Sequence, residues 1–221
     1  MYYNLHTHIF PKREQKNVCS FINLQIENIS EITCSKNNLL NYSVGIHPWN
    51  ADNETLEEGI NFIEKYAHFP SVKAIGECGL DKLCKTDLER QKRAFLSQIL
   101  ISEKVNKPLI VHCVKSFDEI IAFKKRLQPK QPWIIHGFRG KPEQAFRFIQ
   151  SGLFLSFGFN YNEDAIKIVP PEKIFLETDN SAHTIQVVYE KVAATLNIEG
   201  EKLIRQIETN VKSVFSISNV C

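Results

Sequence analysis

Short apolar runs alternate along the chain with longer segments whose apolar residues recur at helical spacing. The runs are Tyr2–Leu5, Cys19–Leu24, Tyr42–Ile46, Val72–Ile75, Leu109–Val111, Trp133–Ile135, Leu153–Phe157 and Ile174–Leu176. They are rich in Val, Ile and Phe and lack a clean apolar–polar alternation. Strands buried on both faces of a parallel sheet have this pattern. Asp87–Val105 carries Leu88, Phe95 and Ile99 on one stripe, as an amphipathic helix does. Asp118–Leu127 places Ile120, Ile121, Phe123 and Leu127 similarly and ends on Lys124, Lys125 and Arg126, where cations suit the helix dipole. Glu143–Gln150, Ile185–Leu196 and Glu199–Phe215, the last with a break, are the remaining helical segments.

Alternating strand and helix makes an α/β protein. Eight strand candidates in about 180 residues predict a compact (β/α)8 TIM-type barrel over a doubly wound sheet. Residues 1–221 are expected to form a single domain. Between Leu5 and Tyr42 there is little room for both a full helix and a strand. The first helix is therefore expected to be reduced or missing, with the barrel irregular there.

Composition narrows the class. The chain has 221 residues, 43% hydrophobic and 24% charged, with a formal net charge of +2. Disorder, a collagen-like fibre and a disulfide miniprotein are excluded. Near-zero net charge disfavours coating of nucleic acid by bulk electrostatics but allows a local basic groove. No run approaches a membrane helix, and the start, MYYNLHTHIF, lacks the pattern of a secretory leader. The six cysteines, Cys19, Cys34, Cys78, Cys84, Cys113 and Cys221, form no CxxC pair. They read as reduced thiols of a cytoplasmic protein.

The chemistry gathers at predicted strand ends. His6, His8, His47, His112 and His136 lie at or just past one, as do Glu77, Glu177 and Asp179. In a barrel these ends share the face that holds the active site. His6 and His8 are two apart on a strand, so both rings can face one metal. An isolated pair of this kind is weak evidence. His112 and His136, each closing an apolar run, strengthen it. Carboxylates at such positions are costly to bury unless paired or metal-bound. Four imidazoles with Glu77 and Asp179 exceed one tetrahedral site. They suit two divalent ions sharing a carboxylate and a bridging water; zinc, manganese and magnesium all remain open. Cys113 beside His112 could suggest a nucleophile, but adjacent strand residues point to opposite faces. Gly76 and Gly79 are expected to permit tight turns around Glu77.

Several blocks together resemble the TatD family of metal-dependent hydrolases, within the amidohydrolase group of barrels. They are His6-Thr7-His8, Gly45-Ile46-His47-Pro48, Gly76-Glu77-Cys78-Gly79-Leu80-Asp81 and Pro108 to His112. His136-Gly137-Phe138-Arg139-Gly140, Glu177-Thr178-Asp179 and a tail with Asn210 and Phe215 complete the match. The resemblance implies that His6, His8, Glu77 and Asp179 hold a first metal ion. Glu77 would bridge to a second, completed by His112 and His136. Asp179 would also take a proton from the attacking water, and His47 would reach the substrate. Glu177 would fix the tautomer of a ligand histidine.

Three departures stand out. Asn4 replaces the family's usual Asp, Val114 stands where an Arg is common, and Asn180-Ser181-Ala182-His183 leads directly toward a helix in place of a longer loop. The expected activity is a two-metal phosphodiesterase or deoxyribonuclease acting on DNA ends or short oligonucleotides through a metal-activated water. Lys115, Arg139 and Lys141 are candidates for phosphate contact, or equally solvated surface charge. Alternatives are an amide, lactone or small phosphoester hydrolase, and a non-catalytic metal-binding scaffold. No membrane association and no obligate protein partner are expected.

Overall fold

The computed structural model describes residues 1–10, 17–24 and 40–215. Among these residues eight strands lie in one sheet in chain order: β1 Tyr2–Thr7, β2 Val18–Leu24, β3 Leu40–Val44, β4 Val72–Asp81, β5 Leu109–Val114, β6 Trp133–Ile135, β7 Phe154–Phe157 and β8 Ile174–Leu176. The helices are α1 Asn53–Tyr66, α2 Leu88–Val105, α3 Phe117–Leu127, α4 Pro142–Gln150, α5 Glu163–Lys167, α6 Ile185–Leu196 and α7 Gly200–Phe215. This is the (β/α)8 order that the hydrophobic pattern predicts. Between β1 and β2, residues 8–10 and 17 are not helical; the rest of the expected irregular stretch lies outside the described residues, as do Cys34 and Cys221. Among the described residues no helix is long and apolar enough to cross a membrane.

Contacts divide the chain into two compact units. Of the described residues, the first takes 1–10, 17–22, 40–41 and 136–215. In it β1 pairs with β2 in parallel, from Tyr2 opposite Val18 to Thr7 opposite Ile22, with a bulge between Asn4 and Thr7. β7 pairs with β8 from Leu155–Ile174 to Phe157–Leu176. The chain beyond β8 lies against β1 through a parallel bridge between Thr7 and Asp179. The Asn4 side chain donates to Thr178 Oγ1 at 2.8 Å and accepts from Thr178 N at 2.9 Å. Helix α7 runs without the expected break. The buried Asn210 amide at its centre donates to Pro171 O at 2.7 Å and Ile174 O at 2.8 Å. These tertiary bonds override the weak helix preference of Asn. Phe215 closes the unit against Phe21 and Phe175, ring centroids 4.7 and 6.0 Å away.

Of the described residues, the second unit takes 23–24 and 42–135. β3 pairs with β4, β4 with β5 and β5 with β6, all parallel. β4 runs through Gly76 and Gly79, which were expected to be turns. Both have positive φ, 142° and 134°. A Cβ on Gly79 would lie 2.1 Å from His112 O, and one on Gly76 2.5 Å from Ile110 O. Glycine is needed so that β5 can approach this closely. Helix α1, absent from the sequence reading, seats Gly59 against Ile46, where a Cβ would come within 2.8 Å. Its Leu56, Ile60 and Ile63 recur at helical spacing, a pattern that the sequence reading passes over. Asp87 caps α2 by accepting from Glu89 N and Arg90 N, both at 3.1 Å.

Candidate metal centre

Among the described residues, side chains able to ligate a metal gather in both units. In the first, β1 carries the buried His6, and His8 follows one residue past its end. Asp179 N donates to His6 O at 2.9 Å, and His8 N donates to Asp179 O at 3.4 Å. This backbone pairing sets Asp179 Oδ1 3.8 Å from His6 Nε2 and 3.5 Å from His8 Nε2. Asp179 adopts a left-handed φ of 52°, uncommon outside glycine though tolerated by Asp. The His6 ring also packs on His136, centroids 4.4 Å apart. His136 Nδ1 lies 3.3 Å from Glu177 Oε1, which accepts from Gly137 N at 2.7 Å. Burial pushes the Glu177 carboxyl up, but the hydrogen bond and charge of His136, with His6 and Ser156, hold it below the usual carboxylate range. A carboxylate at Nδ1 favours the tautomer whose Nε2 lone pair can bind a metal.

In the second unit, β4 and β5 bring Glu77 Oε1 within 2.7 Å of His112 Nδ1. His47, opening a short 3-10 turn at Pro48–Asn50, places Nε2 3.2 Å from Glu77 Oε1 and 3.4 Å from His112 Nδ1. Ligand atoms of a tetrahedral ion with bonds near 2.0–2.2 Å are roughly 3.4 Å apart. Two of the three separations match that spacing, and the third is a direct hydrogen bond. Two imidazole nitrogens and a carboxylate oxygen are borderline donors suited to a divalent transition ion. The residues therefore fit a metal.

Hydrogen bonds tie this set to its surroundings. Asn23 Oδ1 accepts from Glu77 N at 2.8 Å and from the Ser43 hydroxyl at 3.1 Å. Buried Asp81 accepts from Trp49 Nε1 at 2.7 Å and from Leu83 N at 2.8 Å, and lies 3.4 Å from His112 Nε2. Burial raises the Asp81 pKa, yet the bonds from Trp49, Leu83 and His112 bring it below its ordinary value. Asn23, Trp49 and Asp81 were not singled out as site residues in the sequence. Asp81 was detectable, since Glu77, Gly79 and Asp81 alternate along one strand. Asn23 and Trp49 carry no such local signal.

Lys115 and Arg139 are exposed, just beyond β5 and β6, and exposed Lys141 precedes α4. Burial pushes the Cys113 thiol up to about 11, so it is protonated at neutral pH and unsuited to nucleophilic attack. Asn4, the residue noted as departing from the resembled family's usual Asp, bonds Thr178. The segment after Asp179 turns through Ser181 N to Thr178 O at 2.8 Å and enters α6 at Ile185.

A family model described as "TatD related DNase" matches residues 7–216. The chain belongs to the TatD-related DNase family. It is 28% identical over 208 residues to the "3'-5' ssDNA/RNA exonuclease TatD" of Escherichia fergusonii, covering 80% of this chain and 78% of that protein. It is 26% identical over 198 residues to the "Uncharacterized metal-dependent hydrolase YabD" of Bacillus subtilis, covering 80% and 77%. The crystal structure of the TatD homologue YjjV from Escherichia coli superposes with a TM-score of 0.83 at 21% identity, over 98% of both chains. That likeness shows the shared (β/α)8 fold. As a TatD-family member, the chain is a metal-dependent hydrolase acting on ester bonds.

Proposed function

We propose that this chain is a two-metal phosphodiesterase that trims single-stranded DNA ends or short oligonucleotides. The observation that carries the reading is the gathering of the ligand atoms of His47, Glu77 and His112 within 4.8 Å of one another, in a TatD-family chain that also brings His6, His8 and Asp179 together. Relatives named single-strand exonucleases support the substrate class. In this proposal His6, His8 and Asp179 hold one ion, His112 and His136 the other, and Glu77 serves both. His47 is retained as a substrate contact, and its place beside Glu77 also suits it to ligation. Zinc, manganese or magnesium would acidify a water and neutralise phosphoryl oxygens when bound.

The side chains do the rest. Asp179 is 31% exposed, whereas Glu77 is 3% and Glu177 0% exposed. Of these carboxylates, Asp179 is the one that solvent water can reach. It accepts the proton as the water oxygen bonds to phosphorus and the ester oxygen departs, and the proton then passes to that oxygen. Glu177 holds the His136 tautomer. Lys115 and Arg139 meet neighbouring phosphates as positioning contacts. We read residues 1–221 as one domain working without an obligate partner. The free thiols of Cys19, Cys78, Cys84 and Cys113 support a reducing cytoplasmic setting.

The direct connection from Asp179 to α6 also supports a second reading, a hydrolase of small phosphoesters, amides or lactones. One experiment separates the two. Purified protein is assayed for bound metal, then given 5′- and 3′-labelled single-stranded DNA with zinc, manganese or magnesium, with and without chelator. Metal-dependent cleavage that disappears in Glu77→Ala supports the nuclease, and the labels give its polarity. Bound metal without cleavage moves the assignment to small substrates. Absence of both overturns the metal site.

A further inference from the structure

Trp49 is a large aromatic residue beside the His47–Glu77–His112 set, and 59% of it is exposed. A single exposed aromatic is ordinary. This one is anchored at every polar point. Its indole Nε1 donates to Asp81 Oδ2 at 2.7 Å, its backbone N donates to His47 Nδ1 at 3.2 Å, and its carbonyl accepts from the Thr86 hydroxyl at 2.9 Å. The ring stands edge-on to the His47 imidazole, centroids 4.9 Å apart at 89°. Asp81 is itself buried and held by Leu83 N and, at its own backbone N, by Gln91 Oε1 at 2.7 Å.

Packing does not account for this arrangement, because the indole remains largely in water. A buried carboxylate fixes the direction of an exposed ring next to the ligating atoms. A ring already immobilised loses little entropy when a flat ligand lies on it. We propose that Trp49 is the platform on which the nucleobase next to the scissile phosphodiester stacks. This rests on the nuclease reading and names the subsite that positions the strand. Every base has a π face, so such a platform tolerates sequence. The indole N–H is occupied by Asp81 and reads no base edge. The platform favours single strands, since a base inside a duplex is stacked on both faces and must leave the stack to lie on it.

The test offers the metal-loaded enzyme single-stranded oligonucleotides in two forms, intact or abasic at the cleaved end. Wild type is expected to show a KM about tenfold higher on the abasic strand, the worth of one base–aromatic stack. Trp49→Ala should raise KM by that factor on the intact strand, with little change in kcat, and add nothing on the abasic strand. Trp49→Phe keeps a ring face and lacks the indole N–H, and should remain within about threefold of wild type. Equal wild-type KM on both strands overturns the platform and leaves the nuclease reading standing. So does Trp49→Phe impaired as fully as Trp49→Ala on both strands, which would assign Trp49 a structural role through Asp81. Cleavage of neither strand by wild type overturns both proposals.

Discussion

Glu177 and Asp179 lie two positions apart and have opposite surroundings. Glu177 is enclosed and bonded to His136 and Gly137, while Asp179 reaches solvent beside His6 and His8. The difference separates their expected variants. Asp179→Asn should lower kcat about 10²- to 10⁴-fold at saturating metal, as loss of a proton acceptor does. Steady-state kinetics at several metal concentrations checks this. Glu177→Gln keeps an oxygen for Gly137 N but loses the charge opposite His136. Metal affinity should fall about 10- to 100-fold, read by metal titration. An ETD motif marks both carboxylates in the sequence, but their division of labour depends on burial. Asp81 and Trp49 show the same limit: their bond joins residues far apart in the chain, and no local pattern reports it.

At the scale of elements, close backbone approaches decide what hydrophobic periodicity leaves open. β4 was readable as far as Ile75; its continuation to Asp81 contains two glycines that a propensity argument takes for turns. Gly79→Ala would push a Cβ into His112 O and strain a left-handed φ. It should cost at least about 2 kcal/mol in denaturant unfolding. A second element-scale effect joins α1 to β5. The Lys107 ammonium, just before β5, donates to Ala67 O and, at 3.1 Å, to Phe69 O. Burial, reinforced by Lys73, lowers its pKa from 10.5 to about 8. Between those values the unfolded chain binds more protons than the folded one, so this group makes stability rise with pH. Below about 8 it is charged in both states and its burial cost is full. The stability difference between wild type and Lys107→Met should therefore shift toward wild type from pH 8 to 10.5, measured by thermal unfolding.

For the molecule as a whole, the proposed centre links metal to folding, because its candidate ligands, carried on separate strands, come together only in the folded chain. Metal at about 100 times its Kd should stabilise the fold by about 2.7 kcal/mol per ion. Chelator should remove that increment, and Glu77→Ala should lack most of it, both read as a shift in Tm. The sequence by itself determined the alternation of strand and helix, the (β/α)8 order and the placing of candidate ligands at or near strand ends. These follow from the spacing of apolar residues, which is local and has a different period in each element. Tertiary structure decided which donors share an ion-sized spacing. It set His47 beside Glu77 and His112, engaged Asn4 with Thr178, and anchored an exposed Trp49 on a buried Asp81. Those relations join residues tens of positions apart, and they arise from strand register and from how closely glycine lets neighbouring backbones approach.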